Sequence, residues 1–134
     1  MLNKSNYDKY PEIKVEGPTC AAGWDAITQT IAQRITDIDQ ARTVVVVECY
    51  HGVDTAEVRA QLAAALRPVL TIDAQRTFKA EQQINEFVKD FVTDDPVFGY
   101  MAPLPLQGFF DEQKQQLAQA EIAAAMQGVV LVVG

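Results

Sequence analysis

The residues best able to do chemistry gather where a run of valines ends. Thr43–Asp54 reads TVVVVECYHGVD, so Glu48, Cys49, Tyr50, His51, Gly52 and Asp54 directly follow four consecutive valines. Asp73 ends a second apolar run, VLTID, and Asp94 and Asp95 begin a stretch rich in proline and glycine. His51 is the only histidine. The carboxylates could hold a divalent cation through oxygen ligands, with the imidazole nitrogen beside them. Their spacing follows no established ligand motif, however. Asp54 and Asp111 fit the role of helix caps, and Asp94-Asp95-Pro96 fits a turn. Glu48 stands apart, because a carboxylate beside a buried strand has to be paired, solvated or protonated.

Nucleophilic chemistry has less support. Cys49 and His51 lie two apart on an extended segment and can face the same way. Such proximity does not define a catalytic pair, and the chain has no G-x-S-x-G elbow. Two distant cysteines and one histidine cannot form a structural zinc site. A strand, turn and helix over Val44–Arg59 would suit an anion, since a helix start offers free N–H groups and a positive dipole end. A phosphate loop of the Walker type needs G-x-x-x-x-G-K-[ST]. Cys49–Thr55 holds one glycine and no lysine, and Asp54 brings a negative charge to the place of the phosphate. The segment reads as an ordinary βα turn with an acidic cap, or as a degenerate phosphate loop. The candidate ligand-binding residues are Glu48, Tyr50, His51, Gly52, Asp54, Asp73, Asp94 and, at the last strand end, Gly134. No residue is assigned to catalysis or to a metal.

The elements that must position these residues follow from periodicity. A helix from about Gly23 to Gln40 puts Trp24, Ile27, Ile31, Ile35 and Ile38 on one stripe. Thr43–Cys49 has no polar alternation and reads as a strand buried on both sides, central in its sheet or next to central. Asp54 opens a helix as N-cap with Glu57 at N3, close to a capping box. Ala56–Leu66 is rich in strong helix formers and Pro68 stops it. Val69–Asp73 is a second strand. Glu81–Val92 repeats Ile84, Phe87, Val88 and Phe91 on one helical face. Thr93–Phe110 is irregular yet apolar, the signature of a functional or packed loop. Asp111 caps a last helix running to about Gln127, with Gly128 as its C′ residue. Val129–Val133 is a third strand. Strands alternating with helices imply an α/β fold in three layers, with a short parallel sheet of about three strands and right-handed crossovers. Met1–Pro18 is polar and extended, with Tyr7, Tyr10, Ile13 and Val15 as anchors.

Composition sets the outer limits. The 134 residues suffice for one domain, and 49% of them are hydrophobic, the ordinary globular level. A net charge of −7 without a basic cluster argues against nucleic acid and anionic membrane surfaces as partners. The amino terminus has no apolar core of a secretory signal, and no apolar run nears the roughly 20 residues of a membrane helix. Two cysteines make no disulfide framework. The chain reads as cytoplasmic. It stops at Gly134, at the end of a buried strand, which suggests the amino-terminal part of a longer protein or a surface that a partner covers.

Several segments together are similar to a known family. They are Ser5–Pro11 (SNYDKYP), Gly23-Trp24, VVVVECYHGVD, Thr93–Met101 (TDDPVFGYM), Gly108–Asp111 (GFFD) and the terminal VVLVVG. In this order they resemble the amino-terminal region of long bacterial class I mannose-6-phosphate isomerases. The resemblance spans nearly the whole chain and implies a degenerate P-loop, nucleotide-kinase-like α/β domain. It also implies a following cupin-type domain, absent here, that holds zinc and interconverts mannose 6-phosphate and fructose 6-phosphate. No zinc ligand or catalytic carboxylate of that family can be carried onto a residue here, so no cofactor is expected in this chain. The implied function is a non-catalytic accessory domain whose partner is the catalytic domain or another subunit. The alternative is a domain that binds a nucleotide, a nucleoside or a sugar phosphate.

Overall fold

The computed structural model describes residues 8, 10–12, 14, 16–17, 20–95 and 97–134. Of the expected amino-terminal anchors, Tyr7, Ile13 and Val15 lie outside the described residues, and Tyr10 is largely exposed. Three strands, β1 (Arg42–Val47), β2 (Leu70–Asp73) and β3 (Gly128–Val133), form one parallel sheet in the order β1-β3-β2. Register aligns Val45 with Leu131 and Val47 with Val133 on one side, and Ile72 with Val132 on the other. Four α-helices accompany them: α1 (Trp24–Ile38), α2 (Thr55–Leu66), α3 (Glu81–Val88) and α4 (Glu112–Ala124).

The core sits between the sheet and the α1–α2 pair. Leu62, Leu131 and Val133 are buried there, with Ile31, Val45, Val47, Val58 and Leu66 packed around them. The expected stripe of α1 holds for Trp24, Ile27, Ile31 and Ile35, whereas Ile38 in its last turn is exposed. The connection through α2 steps across the sheet in one direction and the connection through α4 steps back. Right-handed crossovers in opposite directions place their helices on opposite faces. That second face is covered over β3 and β2, where Val130 and Ile72 are buried.

It is not covered over β1. The expectation of a strand buried on both sides therefore fails for Thr43–Cys49. Its residues alternate in exposure, and Val44 and Val46 are 41% and 62% exposed. The reason is position: β1 is next to the central β3 but forms the sheet edge; among the described residues the α1–α2 layer packs on one of its faces, and α4 reaches the other only at its start, where the Arg42 guanidinium donates to the Ile122 carbonyl at 3.0 Å. The apolar run records two apolar faces, not two covered ones.

Other boundaries move for local reasons. Helix α3 ends at Val88, short of Val92. Helix α4 ends at Ala124, so Gly128 is not its C′ residue but the first residue of β3. Gly128 has a φ of +81°, and a Cβ there would come within 2.7 Å of Val69 Cγ1. Two short 3-10 turns appear: Ala74–Thr77, directly after β2, and Leu106–Phe109, inside the segment read as loop. The near capping box of α2 does not close: Asp54 caps the helix, but the Glu57 carboxylate instead accepts the indole N–H of Trp24 at 3.1 Å, tying α1 to α2.

Candidate functional site

The carboxyl ends of β1 and β3 meet at Gly134. Its carbonyl accepts the Cys49 N–H at 2.6 Å, and its own N–H donates to the Val47 carbonyl at 3.1 Å. A Cβ on Gly134 would collide with that of Ala74, so this close approach requires glycine. Above this floor opens a cleft of about 370 Å³. The loop after β1 forms one wall with Cys49, Tyr50, His51, Gly52 and Val53, and Thr55 of α2 continues it. Ala74 and Gln75 of the 3-10 turn after β2, with Phe78 and Phe110, complete the enclosure.

Strand-end clefts are where open α/β sheets bind ligands, and the local sequence explains how this one is held. Asp73 ends β2 and caps the 3-10 turn by accepting the Gln75 N–H at 3.0 Å, while its other oxygen takes the Arg59 guanidinium of α2. The turn is thus fixed to α2. Phe78 and Phe110 face each other across an isolated antiparallel bridge, which is extended by Lys79 N–H to the Phe109 carbonyl and Asp111 N–H to the Thr77 carbonyl. Their rings stack 4.7 Å apart at 14°. On the rim, Tyr50 and His51 meet edge to face at 5.8 Å. The Gln75 amide lies 3.4 Å from the Thr55 hydroxyl, a long contact that links the two walls.

Of the residues proposed from sequence, Tyr50, His51, Gly52 and Gly134 line the cleft. Glu48, Asp54, Asp73 and Asp94 do not. Glu48 is exposed, so solvent satisfies its carboxylate. Asp54 accepts the Ala56 and Glu57 N–H groups, both at 3.0 Å. Asp73 is engaged with Arg59. Asp94 stands in a separate exposed turn, where the neighbouring Asp95 accepts the Val97 and Phe98 N–H groups at 2.8 and 3.0 Å. These two bonds, Val97's first, hold the Asp95 carboxyl below its ordinary value of 3.8. Of the described residues in the loop after Thr93, Phe110 alone, at its far end, lines the cleft. The loop folds back locally instead, through Tyr100 N–H to the Phe91 carbonyl at 2.9 Å.

Sequence reasoning missed Thr55, Gln75 and Phe78. Thr55 and Gln75 follow aspartate caps, a spacing that could have placed them at strand ends; Phe78 carries no such signal. Among the described residues no group of three His, Cys, Asp or Glu side chains is arranged to hold a metal ion. No described helix is long and apolar enough to cross a membrane.

The sequence model of one family, described as a domain of unknown function (DUF8485), matches residues 23–134. No curated protein and no solved structure matches the chain.

Proposed function

We propose that this chain, which belongs to the DUF8485 family, is a non-catalytic accessory domain of a mannose-6-phosphate isomerase-like sugar-phosphate enzyme. It acts by contact with the catalytic domain or another subunit. The observation that carries the contact is the half-covered sheet. Val44 and Val46 present an apolar strip on β1, and β1 pairs with β3 alone, which leaves its outer edge without a strand partner among the described residues. Exposed apolar strips and open sheet edges are surfaces that partners cover. The link to the isomerase rests on the sequence resemblance.

The test mixes this chain with the zinc-loaded catalytic region of a class I mannose-6-phosphate isomerase and follows association by sedimentation velocity. A stable complex is expected. This chain alone, with zinc, should not interconvert mannose 6-phosphate and fructose 6-phosphate. Zinc-dependent turnover by the isolated chain would overturn the proposal, and so would failure to associate.

A second reading is favoured by the strand-end cleft: a three-layer α/β domain with a degenerate phosphate loop that binds a nucleotide, nucleoside or sugar phosphate. A rise in the unfolding midpoint with one of these ligands supports it. A folded sample that responds to none of them removes it.

A further inference from the structure

We infer that the strand-end cleft takes a flat, uncharged heteroaromatic ring of the nucleoside type, stacked on the Phe78–Phe110 pair, in preference to a phosphate group. The inference rests on the second reading above and narrows its ligand. The cleft volume of about 370 Å³ falls within the range of roughly 300–1,000 Å³ usual for small-molecule sites. Its character is set by rings. Phe78 and Phe110 are already parallel and are fixed by the backbone bridge, so a third ring laid on them continues a stack without reordering the walls. Base–aromatic stacking is tolerant of base identity, because every base has a π-face.

The polar groups also suit a base edge. The Gln75 amide spends at most one N–H on Thr55, leaving its carbonyl oxygen and second N–H to pair with a ligand. A phosphate finds no such welcome. Among the described residues no lysine or arginine lines the cleft. At the start of α2, the Ala56 and Glu57 N–H groups that would bind an anion are already taken by the Asp54 carboxylate. A bound phosphate would also face that carboxylate's negative charge.

The experiment uses the full chain in calorimetric titration and thermal unfolding with adenosine, guanosine and uridine. Adenosine triphosphate, mannose 6-phosphate and inorganic phosphate are run in parallel. At one hundred times its dissociation constant, a nucleoside should raise the midpoint by roughly 3–6 °C. Adding phosphates to it should not tighten binding, and inorganic phosphate should not bind. Phe78→Leu should weaken nucleoside binding about tenfold or more. Gln75→Leu, at an exposed side chain outside the core, should weaken it while leaving the unfolding midpoint of the free protein in place. Nucleoside affinity unchanged in both variants overturns the placement. Binding of mannose 6-phosphate or inorganic phosphate without nucleoside binding overturns the ring inference and leaves the binding-domain reading standing. Silence from every ligand removes both.

Discussion

Asp54 accepts two backbone N–H groups at the start of α2 and makes no contact with the cleft. Its removal is therefore a stability change. Asp54→Ala should lower unfolding free energy by about 0.5–2 kcal/mol, as caps of this kind do. Asp54→Ser should keep most of it, and a urea titration of the three proteins measures the difference. Nucleoside affinity should not change with either substitution. Asp95 makes a comparable turn in solvent, and its effect is best read as a titration. Its carboxyl is held below 3.8 by the Val97 and Phe98 N–H groups. A carboxylate whose folded value is depressed contributes stability that is present above its unfolded value and lost as pH falls through the folded one. The Val97 and Phe98 amide resonances should accordingly shift as the pH falls, with a midpoint below the ordinary carboxyl value of 3.8. Asp95→Asn should abolish that movement. The cap at Asp54 and the turn at Asp94-Asp95 could be read from sequence, because short acidic side chains bond to amides two and three residues ahead. Nothing local distinguishes such an aspartate from one aimed at a ligand, which is why Asp54 and Asp73 read as candidate site residues although both serve as caps.

Elements were readable wherever the pattern was long. The alternation of strands and helices, the α1 stripe from Trp24 to Ile35 and the parallel sheet are as the periodicity implies. One error falls where a single residue decides between two local structures. Gly128 looks like a helix C′ glycine because it follows an alanine-rich helix, yet α4 stops earlier and Gly128 opens β3. The residue is glycine for two reasons at once. Its φ of +81° is costly for any residue with a Cβ, and that Cβ would press on Val69 at 2.7 Å. Gly128→Ala should destabilise the fold by about 1–3 kcal/mol, the scale of a residue forced into a sparsely populated backbone region. Denaturant unfolding measures it. A neutral result would mean that Val69, itself exposed, moves aside and that the backbone relaxes. The 3-10 turn at Ala74–Thr77 left no periodic trace, being only one turn long, and with it went Gln75. The stacked Phe78–Phe110 pair was hidden for a different reason: it joins residues 32 apart through a bridge that belongs to no strand of the sheet.

At the scale of the molecule, what the valine run could not reveal is cover. Val44, Val45, Val46 and Val47 are chemically identical, but Val45 and Val47 face α1 and α2 while Val44 and Val46 face outward from an edge strand. A hydrophobic run states which faces tolerate burial; which faces receive it depends on helices elsewhere in the chain or on another surface. This asymmetry makes the accessory-domain proposal testable without touching the core. Replacing Val44 and Val46 together by threonine keeps β-branched side chains on the strand. Exposed positions away from special contacts shift stability by at most about 0.5 kcal/mol each, so the free double variant should unfold close to the parent protein. Its association with the isomerase catalytic region should nevertheless weaken markedly, because the new hydroxyls must be desolvated at the contact. A loss of stability on the scale of a buried truncation, roughly 2–5 kcal/mol, would mean that this face is covered within the chain itself. Unchanged association with unchanged stability would move the contact away from β1. A surface to test next would then be the loop from Val97 to Met101, where Val97, Phe98, Tyr100 and Met101 are all exposed.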